Sequence, residues 1–365
     1  MINQNRKYKI ALVGDCLANG GAEKVHALLS GYFQKAGLDV SNCVFVDWIQ
    51  YEYSGSILNL GKINSDANPI KRKVTRFFIL RKFIKENNFD AVIDFRIRNG
   101  FWQELLISKY CYPKNTYYTV HSGILDFYFP KSSVLSKLIY KDKNSVAVSK
   151  AIQTEIISKG LAEKSFQIYN PIDLQSILSL KDDYKVSDDK YILAVGRMNE
   201  DVKQFDKLIV AYSKSVLPTQ KIKLLLLGEG QKQPEYKALA TELGLKDLVL
   251  FKGFLANPFP YYQKALFTVI SSKNEGFPNV ILESFAVETP VVSFDCFSGP
   301  NEIIIDRQNG LLVTNQDFDK LTEAMNLLIE DFELYGHCKQ NTKESSKPFD
   351  IETIGKKWLE LLKIK

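Results

Sequence analysis

Strand-like and helix-like segments alternate along this chain almost from end to end, and the alternation runs through twice. Short apolar runs of the kind that form buried parallel strands stand at 10–13, 40–46, 91–94, 116–120 and 145–148. A second series follows at 191–195, 222–227, 248–251, 267–271 and 290–294, closed by 310–313. Between the runs, 23–35, 202–214, 234–243 and 318–330 carry apolar residues at helical spacing. Such alternation builds a doubly wound α/β sheet, because each crossover helix covers a face of the parallel sheet it connects. Two series predict two sheets, and 365 residues suffice for two domains that each bury a core. Tyr169-Asn170-Pro171-Ile172-Asp173 ends the first series, and the polar stretch 181–190 precedes the first strand of the second. The expected domains are therefore 1–172 and 173–349, followed by an amphipathic helix over 350–365. No internal repeat or low-complexity tract interrupts this plan.

Composition narrows the function. The opening MINQNRKYKIALVGD holds an apolar run too short and too early for a secretory signal, and no apolar stretch approaches the roughly 20 residues that span a bilayer. The expectation is a cytoplasmic protein, soluble or bound only at the inner surface of the membrane. Cys16, Cys43, Cys111, Cys296 and Cys338 are scattered singly, which argues against a disulfide framework or a thiolate zinc site. His26, His121 and His337 lie far apart, a poor basis for a histidine metal site. The net charge of +6 divides into +9 over residues 1–175 and −3 over the rest. A basic first half suits an anionic partner. No nucleic-acid recognition motif accompanies the charge, so a nucleic-acid role is not expected.

The chemistry-bearing residues fall at strand exits. Glu275-Gly276-Phe277-Pro278-Asn279 follows a strand, with Glu283 eight positions after Glu275. Pro278 suits the first turn of a helix, where its missing N–H is no loss, and the free N–H groups of that turn make an anion site. Gly196-Arg197-Met198 follows another strand, with Lys203 at the opening of the next helix. A loop arginine and a helix-start lysine can neutralise a diphosphate without a metal. Gly20-Gly21 precedes the first helix and lets backbone approach a phosphate, yet it does not match the G-x-G-x-x-G dinucleotide fingerprint. Gly228-Glu229-Gly230, Ser298-Gly299-Pro300-Asn301-Glu302 and His121 also sit at strand exits. Taken singly, each has an ordinary reading as a surface charge, a flexible turn or a structural histidine.

In this order the pieces resemble the retaining glycosyltransferases of family 4, which have the GT-B fold of two Rossmann-like domains facing a central cleft. The likeness is strongest over 190–315, through G-R-M…K, L-G-E-G, F-K-G-F, E-G-F-P-N-x-x-x-E and S-G-P-N-E…N-G-L-L-V. G-G-A-E-K, V-A-V-S-K and Y-N-P-I-D match more loosely, and 50–115 carries almost no family signal. The resemblance implies an acceptor-binding first domain, a nucleotide-sugar-binding second one, and a last helix that crosses back onto the first. It implies that Arg197 and Lys203 hold the donor diphosphate and that Glu283 accepts from the ribose hydroxyls. Glu275 with the backbone of Gly276, Phe277, Pro278 and Asn279 would grip the sugar, and Gly228 and Phe254 would line the nucleotide site. Gly20 and Gly21 would approach the phosphates as the cleft closes, and His121 would lie beside the reacting sugar. The S-G-P-N-E form looks like members that use UDP-sugars and build bacterial surface polysaccharides, including lipopolysaccharide. The implied activity is metal-independent, cofactor-free transfer of a hexose or N-acetylhexosamine to a glycan or lipid-linked acceptor. Residues 71–85, with seven basic residues among aromatic and aliphatic ones, read either as a helix lying on an anionic membrane or as a core-packed helix with a solvated face. A nucleotide-sugar epimerase or phosphorylase of the same architecture, or a non-catalytic nucleotide-sugar binder, stands as the alternative.

Overall fold

The computed structural model describes residues 6–18, 20–63 and 68–364. Asn19 of the glycine loop and Lys365 of the last segment lie outside them. The chain divides into two compact units, one of residues 1–171 with 351–365 and one of 172–350.

The first unit is a seven-stranded sheet. Its strands are β1 (Lys9–Gly14), β2 (Asp39–Val44), β3 (Ser56–Asn59), β4 (Ala91–Asp94), β5 (Thr116–Val120), β6 (Asn144–Ala147) and β7 (Lys164–Gln167), in the order β3-β2-β1-β4-β5-β6-β7. Every neighbouring pair is parallel. The helices are α1 (Gly21–Lys35), α2 (Pro69–Asn87), α3 (Phe101–Tyr110), α4 (Ser133–Tyr140) and α5 (Lys150–Ser158). The winding reverses after β3, so right-handed crossovers place α1 on one face and α2 to α4 on the other. Beside α1 lies the C-terminal helix Ile351–Leu361, whose Ile354 and Trp358 join Val25, Leu29 and Phe33 in one buried cluster. Gly355 makes that approach possible, because a Cβ there would stand 2.3 Å from the Tyr32 ring. Helix α2 starts at Asn68, whose side chain accepts from the Ile70 N–H, followed by Pro69. It stops at Asn88, in the left-handed conformation.

The second unit is a six-stranded parallel sheet. It comprises β8 (Tyr191–Val195), β9 (Lys223–Leu227), β10 (Val249–Gly253), β11 (Thr268–Ile270), β12 (Val291–Asp295) and β13 (Gly310–Thr314), in the order β10-β9-β8-β11-β12-β13. Helices α6 (Leu174–Leu180), α7 (Phe205–Lys214), α8 (Gln233–Glu242), α9 (Phe259–Lys264), α10 (Asn279–Ala286), α11 (Pro300–Ile303), α12 (Phe318–Glu330) and α13 (Phe332–Ser346) cover it. Leu224, Leu226, Val292 and Phe294 of the strands meet Leu208, Tyr212, Leu321 and Met325 of α7 and α12 in its core.

Two sequence expectations need correction. The helix expected over 202–214 begins only at Phe205, because Gln204 takes a left-handed φ of 50° that cannot continue a helix backwards. Lys203 therefore lies in the turn before the helix. Pro278 is the cap residue before α10 rather than part of its first turn, with an extended ψ of 103°.

Candidate active site

In each sheet the winding reverses at one place, and open α/β sheets bind ligands in the crevice beyond the strand ends there. In the second unit the reversal falls between β8 and β11. Their two exit loops carry Arg197, Lys203 and Glu275.

The β8 exit is built from glycines. The aliphatic stem of Lys203 lies across Gly196, where a Cβ would stand 2.9 Å from the lysine Cε. Gly228, at the end of β9, has φ of +123°, and a Cβ there would fall 2.0 Å from the Gly196 carbonyl oxygen. Only glycine fits both the angle and the approach. The Val202-Lys203 segment is then tied to the β11 exit three times. Lys203 Nζ reaches Glu275 Oε1 at 2.6 Å, its carbonyl accepts from Ser271 Oγ at 2.7 Å, and the adjacent Val202 carbonyl accepts from the Lys273 N–H at 2.8 Å. Arg197 is exposed and makes no ion pair or side-chain hydrogen bond to any described residue. A strong cation thus shares its strand-exit loop with an ion pair at the reversal, where an anionic ligand can take it up.

The β11 exit runs through Gly276, Phe277 and Pro278, all buried, into α10. The β12 exit props it, since Ser298 Oγ donates to the Gly276 carbonyl at 2.6 Å. Gly299, with φ of +96°, packs so that a Cβ would lie 2.5 Å from Pro278 Cδ. Asn279 opens α10, an eight-residue helix whose first N–H groups carry partial positive charge. Glu283, one turn further, is buried, and its Oε2 accepts from Tyr262 Oη at 2.9 Å. Burial and the neighbouring carboxylate hold the Tyr262 phenol well above its ordinary pKa, so it stays a donor. At the β9 and β10 ends, Glu229 Oε1 accepts from the Phe254 N–H at 3.1 Å, and the Gly228 N–H donates to the Gly253 carbonyl at 2.8 Å. The Phe254 side chain is exposed. Among the described residues no three His, Cys, Asp or Glu side chains gather as a metal site would require.

In the first unit the reversal falls between β1 and β4. Asp15 Oδ2 accepts from the Ile97 N–H at 2.8 Å and joins the two exit loops. Gly20 caps α1 in an extended conformation, and the Glu23 carboxylate folds back over it, within 1.9 Å of where a Cβ would stand. A phosphate approaching Gly20 and Gly21 would have to displace that carboxylate. His121, at the β5 exit, has both ring nitrogens shut off from solvent and its ring 5.7 Å from Phe95. Burial, reinforced by Arg98, lowers its pKa to about 3 against the pull of Asn170, so the imidazole is neutral.

Beneath these loops lies a charged cluster that no sequence motif announced. Arg96 is buried and forks onto two carboxylates: Nη2 reaches Asp94 Oδ2 at 2.8 Å and Glu104 Oε2 at 3.0 Å, while Nε reaches Asp94 Oδ1 at 3.0 Å. Asp94 and Glu104 outweigh the effect of burial and hold Arg96 above its ordinary pKa. Arg98, also buried, donates to the Thr119 carbonyl at 2.8 Å and lies over the rings of Tyr118, Tyr128 and Tyr140. The signal available beforehand was D-F-R-I-R at a strand exit, five charged or apolar residues that separately read as surface and core.

Residues 179–345 match the family described as Glycosyl transferases group 1. The chain is 29% identical over 366 residues to an N-acetylgalactosamine-N,N'-diacetylbacillosaminyl-diphospho-undecaprenol 4-alpha-N-acetylgalactosaminyltransferase of Campylobacter jejuni, covering 95% of this chain and 97% of that protein. It is 24% identical to a lipopolysaccharide 1,6-galactosyltransferase of Salmonella typhimurium, covering 90% and 92%. The crystal structure of the Anabaena protein HepE in complex with UDP matches with a TM-score of 0.74 at 20% identity, over 97% of this chain and 99% of that one. That last likeness extends the expected GT-B class to the observed pair of parallel sheets.

Proposed function

We propose that the chain is a group 1 glycosyl transferase and that its second unit binds a UDP-sugar at the β8–β11 reversal without a metal ion. The observation that carries this is the Lys203–Glu275 pair, 2.6 Å long, with the unengaged guanidinium of Arg197 on the same loop. Two cations and the first N–H groups of α10 offset the charge that collects on a departing diphosphate. Glu275 and the backbone of 276–279 hold the sugar, Glu283 the ribose, and Gly228 and Phe254 the nucleotide side.

The transferred group is a hexose or N-acetylhexosamine, and the acceptor a glycan or lipid-linked saccharide on the cytoplasmic side. The relatives that act on a diphospho-undecaprenol saccharide and on lipopolysaccharide support that acceptor class. Transfer proceeds with retention. The bond from the anomeric carbon to the phosphate oxygen breaks with its electron pair going to the phosphate. The acceptor oxygen then bonds to that carbon from the same face, and its proton passes to the leaving phosphate oxygen. Helix α2 faces the anionic membrane surface on which such an acceptor is held.

Incubation with a UDP-sugar panel and a diphosphate-linked lipid saccharide tests the reading, with UDP release and the anomeric configuration of the product as readouts. Acceptor-dependent UDP release with an α-linked product from an α-linked donor is expected. Acceptor-independent conversion of the donor would favour an epimerase instead, and inversion at the anomeric carbon would refute retention.

A further inference from the structure

We infer that helices α3 and α4 form an apolar face that enters the headgroup region of an anionic bilayer, with the cations of α2 on its rim. The inference extends the reading of α2 as membrane-facing and rests on it. Helix α3 is apolar on both sides: Ile107 is buried in the unit, while Trp102, Leu106 and Tyr110, each four residues on, stand 73%, 46% and 45% exposed. Four-residue spacing puts those three on one outward stripe. Helix α4, packed against α3, turns Val134 and Leu138 outward at 74% and 64% exposure while Ile139 and Tyr140 are buried. Helix α2, packed against α3 from the other side, adds Val74 and Phe78 to its solvent stripe. Large apolar side chains left outward on three adjacent helices need a partner.

The charges choose the partner. Exposed Lys71, Lys82 and Lys85 share the α2 stripe with Phe78, Lys109 lies beside Tyr110 with its Nζ 5.5 Å from the ring, and Lys131, Lys137 and Lys141 flank α4. Glu86, Asp126 and Glu163 pair at the surface with Lys82, Lys131 and Lys141 at 3.8, 3.6 and 3.8 Å, and Glu104 is buried against Arg96, so Lys71, Lys85, Lys109 and Lys137 carry the excess charge of this face. A second copy would bring like charges together, whereas an anionic bilayer meets them with opposite ones. Tryptophan and tyrosine suit the interfacial depth, and lysine stems extend their ammonium groups to the headgroups. Arg76 takes no part, since its guanidinium donates to the carbonyls of Phe45 at 3.1 Å and Gly61 at 3.0 Å.

The test is co-sedimentation of the full chain with phosphatidylcholine vesicles, with and without phosphatidylglycerol. Wild type should bind the mixed vesicles and not the neutral ones. A Trp102→Ser/Leu106→Ser/Leu138→Ser variant should bind at least about tenfold more weakly. A Lys71→Gln/Lys82→Gln/Lys85→Gln variant should lose about 100-fold, at about fivefold per charge. Both should keep the wild-type Tm and turnover on a water-soluble acceptor. Unchanged binding of the serine variant overturns the inference, as does a wild-type dimer in sedimentation velocity that the serine variant dissolves. Binding is read without turnover, so absence of transferase activity would sink the proposed function and leave this result standing.

Discussion

Replacing Lys203 by methionine separates what its charge does from what its stem does. The stem lies across Gly196, and methionine keeps a similar unbranched chain there, so packing is retained. The ammonium is lost, and with it the 2.6 Å contact to Glu275. Lys203 and Glu275 are 23% and 13% exposed, so solvent screens the pair in part and its loss costs about 1 kcal/mol of stability. In a unit of this size that lowers Tm by about 2–4 °C. The effect on transfer is larger, because the charge acts on a leaving group that becomes more negative in the transition state. Removing one such preorganised donor costs about 2–4 kcal/mol, which is about 30- to 1,000-fold in kcat/KM. Initial-rate assays with a UDP-sugar, beside thermal melts of the same preparations, read both effects. A variant with the small Tm loss and kcat/KM within about threefold of wild type would show that Lys203 only braces two loops, and would refute the reasoning.

Other substitutions probe the supports of the site. Tyr262→Phe takes the Tyr262 hydroxyl donor away from the buried Glu283 and should cost about 1–3 kcal/mol in urea unfolding; no loss would mean that the 2.9 Å contact adds nothing to stability. Gly228→Ala must place a Cβ 2.0 Å from a carbonyl oxygen at φ of +123°, and should cost about 2–5 kcal/mol, read as a lower urea midpoint. The pH response follows from His26 and His121, whose pKa values burial lowers to about 4 and about 3. Both are neutral in the folded chain, while the unfolded chain takes up protons below about 6.5. Their stabilising contribution is thus complete above about pH 6.5 and is lost as pH falls, by about 2 kcal/mol per histidine between pH 6.5 and 5. Urea titrations at those two pH values that gave equal unfolding free energies would contradict it.

The α/β class was legible because buried parallel strands are short continuous apolar runs that stand out between helical segments. The strands that escaped were β3 and β7, the two edges of the first sheet. Both are four residues long and partly exposed, so neither needs an apolar run. Helix starts shifted where a single backbone angle decides them, as at Gln204. The strand-exit positions of Arg197, Lys203 and Glu275 were readable from local order. That Lys203 meets Glu275 was not, because the contact joins residues 72 apart through the reversal between β8 and β11. Tyr262 beneath Glu283 escaped because the contact joins two helices on either side of β11, 21 residues apart. The Arg96 cluster was hidden more deeply, since charges in a sequence read as solvated until the fold supplies two carboxylates to bury with them.

In the proposed donor site the second unit holds a nucleotide-sugar diphosphate with its own cations. This is tested most directly by calorimetric titration of UDP, GDP and their sugars into the protein, with and without EDTA, beside an Arg197→Ala/Lys203→Ala variant. UDP and UDP-sugar should bind in a way that EDTA leaves unchanged and that the double variant loses. Binding that EDTA abolishes, or that survives removal of both cations, would contradict it.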